Sequence, residues 1–254
     1  MLEIIQIPVL NDNYIYLIND PVSCETAVVD PALAQPVLDV LAKKKWQLSY
    51  IFNTHHHWDH IEGNLELKKQ SGCKIIGSKN DQHRIPNIDI LVGENDQISL
   101  GTHQAVIFET PGHTSGHIVF YFADDAALFC GDTLFAMGCG RLFEGSAEQM
   151  WLSLNKLKSL PGTTRVYCAH EYTQNNGRFA LTIEPENKAL IARMEKINQK
   201  RKQNLPTIPS TIEQELETNP FFRVQSAGLQ KTINKQDQAS VEVFAEIRKR
   251  KDQF

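Results

Sequence analysis

A cluster of histidines at residues 55–60 constrains the fold of this chain more than any other feature. The stretch THHHWDHIEGN begins at Thr54 and holds four of the chain's nine histidines, together with one aspartate. The apolar run LSYIFNT comes directly before it and predicts a strand that ends at the cluster. Burying so many polar side chains without a partner would be costly. We therefore interpret the cluster as a metal site.

The predicted strand also determines the side to which each histidine of the cluster projects. In an extended chain His55 and His57 project to one side, whereas His56 projects to the other. Asp59 and His60 follow at the turn into a predicted helix, where they can face a second ion. Residues at the carboxyl end of such a strand point into a crevice where ligands bind.

Three further polar residues each follow an apolar run in the same way. His113 follows QAVIFET, Asp132 follows ALFC, and His170 follows RVYC. A catalytic metal needs about three protein ligands and an open position, so seven side chains suit two ions if one carboxylate bridges them. Imidazole and carboxylate ligands favour zinc, iron or manganese over calcium or magnesium. The predicted ligands are His55, His57, Asp59, His60, His113, Asp132 and His170.

Two composition regimes divide the chain. Residues 1–172 alternate short apolar runs with helical stretches at 34–45 and 146–160, the second opening with Ser146 and Gln149 at capping-box spacing. Residues 173–254 have no strand-like alternation. NKALIARMEKINQKR has a helical period at Leu190, Ile191, Met194 and Ile197, and VEVFAEIRKRKDQF predicts a final helix. We expect an α/β domain over 1–172 and a smaller helical domain over 173–254.

Composition excludes several classes of protein. The net charge of -4 argues against nucleic acid as a partner, and no apolar run is long enough to cross a bilayer. The N-terminus predicts no signal peptide. Five scattered cysteines without a CxxC pair do not make a disulfide framework, which favours the cytoplasm. We expect a monomer that acts on a small molecule.

The four ligand-bearing segments, in this order, resemble the metallo-β-lactamase superfamily. The segments are THHHWDHIEGN, TPGHTSGH, FCGDTLF and CAHEYT. Within that superfamily the whole chain is most similar to glyoxalase II, the hydroxyacylglutathione hydrolases. GCGRLFEGSAEQM, HEYT, NPFFR and IRKRKDQF carry this narrower resemblance.

The resemblance implies an αββα sandwich with a small C-terminal helical domain that binds glutathione. It assigns His55, His57 and His113 to one metal and Asp59, His60 and His170 to the other, with Asp132 as the bridge. It also places five residues in the glutathione site, where some members have tyrosine at the position of Phe143. These residues are Arg141, Phe143, Tyr172, Arg248 and Lys251.

The charge of the last predicted helix fits this assignment. Arg248 and Lys251 lie three residues apart and share a helix face, and a guanidinium can grip a glutathione carboxylate in bidentate fashion. The residues alone also allow another interpretation, in which the RKRK stretch is a solvated helix end.

The resemblance implies hydrolysis of S-2-hydroxyacylglutathione to glutathione and a 2-hydroxy acid by a metal-bridging hydroxide. Besides its role as a predicted ligand, Asp59 is a candidate for orienting the water. The alternatives are a lactonase, a β-lactamase, a persulfide dioxygenase with one iron, or a metal-dependent binding protein without catalysis. We interpret Cys139 as a small packing residue and His117 as either a support for a ligand or a structural residue. We place His56, His83 and His103 at the surface.

Overall fold

The strand-forming runs of the sequence build two sheets in the first of two units. The computed structural model describes all 254 residues. Its first unit comprises Met1–Glu109 and Ser115–Gly131, and its second comprises Thr110–Thr114 and Asp132–Phe254. The elements of the first unit are β1 (Glu3–Val9), β2 (Asn13–Asn19), β3 (Glu25–Val29), α1 (Ala34–Lys44), β4 (Gln47–Phe52), α2 (Trp58–Ile61), α3 (Asn64–Ser71), β5 (Lys74–Ser78), β6 (Ile90–Val92), β7 (Gln97–Leu100), β8 (His103–Glu109), β9 (Ile118–Phe122) and β10 (Ala127–Gly131).

The first sheet of this unit is mixed. Its strands lie in the order β1-β2-β3-β4-β5-β6; the pairs β1–β2 and β2–β3 are antiparallel, whereas β3, β4, β5 and β6 pair in parallel. The carboxyl ends of parallel strands meet at one edge of a sheet. The segments that follow β3, β4 and β5 therefore gather at that edge, and the THHHWDH stretch is one of them.

The second sheet of this unit contains the antiparallel run β7-β8-β9-β10. Every side chain of β9 and β10 is buried, which explains why both read as short continuous apolar runs rather than as alternating patterns. A core of buried residues packs α1 and α3 against the first sheet, and its members include Val28, Val37, Ile51, Leu67 and Ile75.

The second unit is mainly helical. Its cores include a cluster in which Met137 meets Ala180, Leu190, Met194 and Ile197. Its elements are β11 (Leu134–Phe135), β12 (Gly138–Cys139), α4 (Ala147–Lys158), β13 (Arg165–Cys168), α5 (Thr173–Ile183), α6 (Lys188–Lys202), β14 (Ser210–Thr211), α7 (Ile212–Thr218), α8 (Ala227–Thr232) and α9 (Ser240–Asp252).

The structure confirms the predicted elements at 34–45, 146–160, 187–201 and 241–254 as helices, with ends shifted by one or two residues. The capping box of Ser146 and Gln149 is present at the start of α4. The prediction for α6 is wrong in one detail, because Ile191 is exposed while its three apolar neighbours are buried. Sequence patterns missed the two- and three-residue strands β6, β11, β12 and β14, which are too short to show a period.

No helix of the chain combines the length and apolar character required to span a bilayer.

Candidate metal centre and substrate pocket

The loop that follows β4 is fixed from both ends by buried hydrogen bonds. Thr54 N–H donates to Asp30 Oδ1 at 2.8 Å, and the Asn53 amide donates to the carbonyl of His60 at 3.2 Å. Asp30 follows β3, the parallel neighbour of β4, so both groups come from the same sheet edge. The four residues Asn53, Thr54, His55 and His60 are buried. The loop is therefore held in shape by the fold itself.

A chain of hydrogen bonds through three groups determines which ring nitrogen of His55 carries the proton. Thr54 donates its hydroxyl to Asp30 Oδ2 at 2.7 Å, and His55 Nδ1 lies 3.0 Å from the same hydroxyl oxygen. Because the hydroxyl proton is directed to the carboxylate, we assign Nδ1 of His55 as the donor to that oxygen. Its Nε2 then carries a lone pair, as a metal ligand requires.

Asp30 sets the ring of His60 in the same way. Its Oδ2 lies 3.1 Å from His60 Nδ1, and an ionised carboxylate only accepts hydrogen bonds, so Nδ1 holds the proton. His60 Nε2 lies 3.7 Å from Asp59 Oδ2. The Asn13 amide donates to Asp59 Oδ2 at 3.1 Å and to the Asp59 carbonyl at 3.2 Å, which fixes the direction of that carboxylate.

His55 and His57 face each other, as the alternation of an extended chain predicts. Nε2 of His55 lies 3.0 Å from Nδ1 of His57, and their ring centroids are 4.6 Å apart at 79°. His57 is half-buried, whereas His55 is fully buried. The first unit thus brings together its four predicted ligands in two pairs, His55 with His57 and Asp59 with His60.

The second unit brings together the other three predicted ligands around one carboxylate. Asp132 Oδ2 lies 3.3 Å from His113 Nε2, and its Oδ1 lies 3.4 Å from His170 Nε2. All three side chains are buried. One carboxylate thus lies beside two of the predicted histidine ligands.

Backbone and aromatic groups orient these two histidines. His113 Nδ1 lies 2.9 Å from the carbonyl oxygen of Arg141, which can only accept, so Nε2 is left to bind a metal. His170 stacks on Tyr172 with ring centroids 4.7 Å apart at 3°. Gly140 passes so close to the Asp132 carbonyl that a Cβ there would overlap it. The close approach of the residue after β12 to the Asp132 backbone therefore requires glycine.

A cavity of about 400 Å³ opens beside Asp132 in the second unit. This volume falls in the range of small-molecule sites. All five predicted substrate residues line it, together with two of the predicted metal ligands: His113, Asp132, Arg141, Phe143, Tyr172, Arg248 and Lys251. Phe143 is 62% exposed and Tyr172 37% exposed, so both rings face solvent or the cavity mouth.

Arg248 is held by the protein. It is only 4% exposed, its Nη1 donates to the Cys139 carbonyl at 2.9 Å, and its Nε donates to Asp252 at 3.1 Å. The guanidinium also lies 5.2 Å from the ring centroid of Phe221. The interpretation of RKRK as a solvated helix end is therefore wrong for Arg248.

Lys251 lies between two aromatic rings. Its Nζ is 5.4 Å from the centroid of Phe179 and 5.1 Å from that of Phe254. Burial, and then the positive charges of Arg248, Arg141 and Arg178, lower the pKa of Lys251 to about 8, against a smaller opposing effect of Asp252. An anion in the cavity would relieve this crowding of positive charge.

Cys139 also lines the cavity, but its chemistry is that of a packing residue. Burial raises the pKa of its thiol to about 11, although the Arg248 charge acts in the opposite direction. A thiolate nucleophile needs a lowered pKa. The structure therefore supports the interpretation of Cys139 as a packing group.

The remaining histidines divide into two groups. His83 is exposed, as predicted. The surface assignment is wrong for His56, which is 18% exposed and 3.4 Å from Asp81 Oδ2, and for His103, which is 12% exposed and 2.6 Å from Asp125. His117 is buried and its ring stacks on that of His55, 4.9 Å away at 23°.

Sequence reasoning missed two residues that orient the predicted ligands. Asp30 ends the run TAVVD, so the strand-end rule that found Asp132 also applies to it. Asn13 has no such signal, because its partner Asp59 lies 46 residues away along the chain.

Comparison with known proteins identifies the superfamily of this chain. Residues 11–170 match the model of the metallo-beta-lactamase superfamily. The crystal structure of the BLEG-1 B3 metallo-beta-lactamase superposes with a TM-score of 0.68 at 22% identity, covering 87% of this chain and 99% of that one. The chain thus has the αββα metallo-β-lactamase fold with a C-terminal helical region, and the fold prediction is confirmed. It is a metal-dependent hydrolase whose His and Asp clusters fit a binuclear site.

Relatives define the family more narrowly. Residues 171–254 match the model described as hydroxyacylglutathione hydrolase C-terminus. The hydroxyacylglutathione hydrolase of Methylococcus capsulatus is 56% identical, and that of Rhodospirillum rubrum is 51% identical; the alignments cover 100% of this chain and 99% of each relative. The chain belongs to the hydroxyacylglutathione hydrolase family. The full-length matches favour this family over the lactonase and persulfide dioxygenase interpretations.

The donor set fits divalent metal ions. Its members are neutral imidazoles and carboxylates, and the rings of His55, His60 and His113 each direct one nitrogen to an oxygen of the protein and leave the other as a ligand atom.

Proposed function

We propose that the chain hydrolyses the thioester of S-(2-hydroxyacyl)glutathione, such as S-D-lactoylglutathione, to glutathione and a 2-hydroxy acid such as D-lactate. This reaction is the second step of methylglyoxal detoxification. The observation that carries the proposal is the Asp132 carboxylate, which faces one histidine with each oxygen and lines a cavity that also contains Arg141, Arg248 and Lys251. Family membership supports the same substrate.

We propose two metal ions, with zinc as the native metal and iron or manganese as substitutes that these ligands also suit. One ion would be held by His55, His57 and His113, and the other by Asp59, His60 and His170, with Asp132 shared. The paired arrangement in the first unit supports this division, since His55 with His57 and Asp59 with His60 each have donor atoms within 4 Å of one another.

When bound, such ions supply a Lewis acid for the thioester carbonyl and activate water near neutral pH. The protein residues hold the ligands in place and orient the reactants. We propose that Asp59 also orients the attacking water, because Asn13 already fixes one of its oxygens. Four of the five histidine ligand rings are buried, and that of His57 is half-buried.

The positive residues of the cavity would bind the glutathione part. Lys251 and Arg141 carry charges that a carboxylate can neutralise, while Phe143 and Tyr172 offer apolar surface along the thioester arm. We propose residues 1–172 as the catalytic domain and 173–254 as the helical glutathione-binding domain. The leaving group is a thiol with an ordinary pKa of about 8.5, so it departs as thiolate without a strong general acid.

We further propose a monomer in the cytoplasm. All five cysteines are free thiols, which suits a reducing compartment. Each chain carries its own seven predicted ligands and its own cavity, so no second copy is needed to complete the set.

The test is hydrolysis of S-D-lactoylglutathione by protein loaded with Zn²⁺, beside a lactoyl thioester that lacks the glutathione peptide. We expect turnover of both, with kcat/KM at least about 100-fold higher for the glutathione substrate, because two charge-assisted contacts are lost in the other. Equal kcat/KM for the two thioesters would contradict the substrate assignment. Absence of thioester hydrolysis with two ions bound per chain would contradict the activity itself.

A further inference from the structure

Asp81 is a fully buried carboxylate outside the predicted ligand set. It ends the short 3-10 helix Lys79–Asp81 that directly follows β5. Since β5 pairs in parallel with β4, this helix lies at the same sheet edge as the ligand loop. A buried carboxylate is costly unless it is paired, so its partners indicate its role.

Each oxygen of Asp81 faces a different group. Oδ1 accepts a hydrogen bond from Arg84 Nε at 3.0 Å and another from Arg84 Nη2. Oδ2 is buried, accepts no hydrogen bond, and lies 3.4 Å from Nδ1 of His56. Arg84 Nη2 also donates to the hydroxyl of Ser115 at 2.9 Å. One carboxylate thus joins the ligand loop to the segment at 115–116.

His56 is the residue between the predicted ligands His55 and His57. Its side chain points to the opposite side of the extended chain, and there it meets Asp81. An attraction that fixes His56 therefore limits rotation of the two peptide groups that set the directions of His55 and His57.

The 115–116 segment touches the same carboxylate. A Cβ placed on Gly116 would overlap the Asp81 carboxyl group, so the backbone packs directly against it. The next residue, His117, stacks on the ring of His55. Asp81 thus contacts two neighbours of His55. One is His56, the next residue in the chain, and the other is the segment that carries the ring of His117.

We propose that Asp81 is a positioning residue for the metal centre, which acts through His56 on one side and through Arg84 and Gly116 on the other. It does not touch the metal or the substrate. This inference rests on the metal site of the proposed function. Groups that hydrogen-bond directly to metal ligands commonly change metal affinity by about 10- to 100-fold, and Asp81 is one contact further away, so we expect the lower end of that range.

The first test is Asp81→Asn, which keeps the shape of the side chain and removes its charge. Zn²⁺ affinity is measured by competition with a chromophoric chelator, and unfolding of the metal-free protein is followed by heating. We expect Zn²⁺ to bind about 10-fold more weakly, with kcat lowered and KM for S-D-lactoylglutathione unchanged. Asp89→Asn is the control, since Asp89 also pairs with a cation, but its contacts are with Lys68 and the Ile75 N–H. It should retain the affinity of the unaltered protein.

The second test separates positioning through His56 from a general loss of packing. His56→Gln alone should weaken Zn²⁺ binding, and the double variant His56→Gln with Asp81→Asn should bind Zn²⁺ more tightly than the product of the two single effects predicts, because the residues share one interaction. Multiplicative effects would overturn the proposal. If Asp81→Asn fails to fold, His56→Gln still decides, and unchanged affinity in that variant would also overturn it.

The outcomes for the unaltered protein keep the two proposals apart. Two tightly bound ions with unchanged affinity in Asp81→Asn would overturn the positioning role and leave the proposed function standing. Absence of tight metal binding in the unaltered protein would overturn both.

Discussion

In the ligand loop of the first unit, the predicted ligands are buried or half-buried and lie close to one another, whereas several side chains that line the cavity of the second unit are exposed. His55 and His60 are at most 1% exposed and each has its second ring nitrogen beside an oxygen. Phe143 is 62% exposed, and Arg141 is exposed as well. A metal site needs fixed donor positions, whereas a pocket that admits and releases a flexible peptide can adjust its side chains on binding.

Removing a predicted metal ligand from the ligand loop of the first unit should lower kcat/KM more than the other changes considered below. His57→Ala deletes a half-buried ring that faces His55, so one predicted ligand is lost without a large internal cavity. We expect kcat/KM to fall by about 100-fold or more, since even the groups around a metal ligand matter by 10- to 100-fold. Metal content by mass spectrometry should fall below two ions per chain.

The matched control is His83→Ala, which deletes an exposed histidine of the same unit. It should keep two ions and full activity. Retention of both ions by His57→Ala would mean that His57 is not a metal ligand.

A substitution in the cavity of the second unit should change substrate binding rather than turnover. Lys251→Ala removes a positive charge from the cavity, and a hydrogen bond to a charged group is worth about 1.5–3 kcal/mol. We therefore expect KM for S-D-lactoylglutathione to rise by about 10-fold or more with kcat nearly unchanged, measured by steady-state kinetics. Lys249→Ala is the control, because Lys249 lies on the same helix and is exposed. An equal rise of KM in both variants would point to net charge instead of a specific contact.

The same contrast explains which residues the sequence could reveal. All seven predicted ligands lie in the segment that follows β4 or after one of three other apolar runs, and the sheet edge gathers the loops of the first unit. The function of Asp30 depends on the pairing of β3 with β4, and that of Asn13 on a contact across 46 residues. Neither relation leaves a local pattern.

The cavity residues depended on resemblance to a family. Helical spacing places Arg248 and Lys251 on one face of α9, but it does not say what covers that face. Only the structure shows that Arg248 is buried against Cys139 and Phe221 while Lys251 lies between two other rings. Likewise, alternation predicts that His56 points away from its neighbours, but the carboxylate of Asp81 that it meets belongs to the 3-10 helix after β5.

Because of the pKa of Lys251, we expect substrate binding in the cavity of the second unit to depend on pH. With a pKa of about 8, set by burial and by Arg248, Arg141 and Arg178 against Asp252, the side chain is charged below pH 8 and becomes neutral as the pH rises. If the charged form binds substrate, KM should rise about 10-fold between pH 7 and pH 9. The arginines stay charged across this range.

The comparison that isolates Lys251 is the same pH series with Lys251→Ala. Titration of the substrate's own amine affects both proteins equally, so the extra rise of KM should be present only in the unaltered protein. Parallel curves for the two proteins would assign the pH dependence to another group.

The smallest effect is expected at the most exposed ring of the cavity. Phe143→Tyr adds the hydroxyl that some members of the family carry, on a ring 62% exposed and 5.1 Å from the ring of His113. A neutral hydrogen bond contributes about 0.5–1.5 kcal/mol, and exposure to water places this one at the low end. We expect KM for the glutathione substrate to fall by about two- to three-fold with kcat unchanged. The thioester without glutathione should show no change, because the hydroxyl would then have no peptide to meet; an equal fall for both substrates would place the new contact on the acyl group.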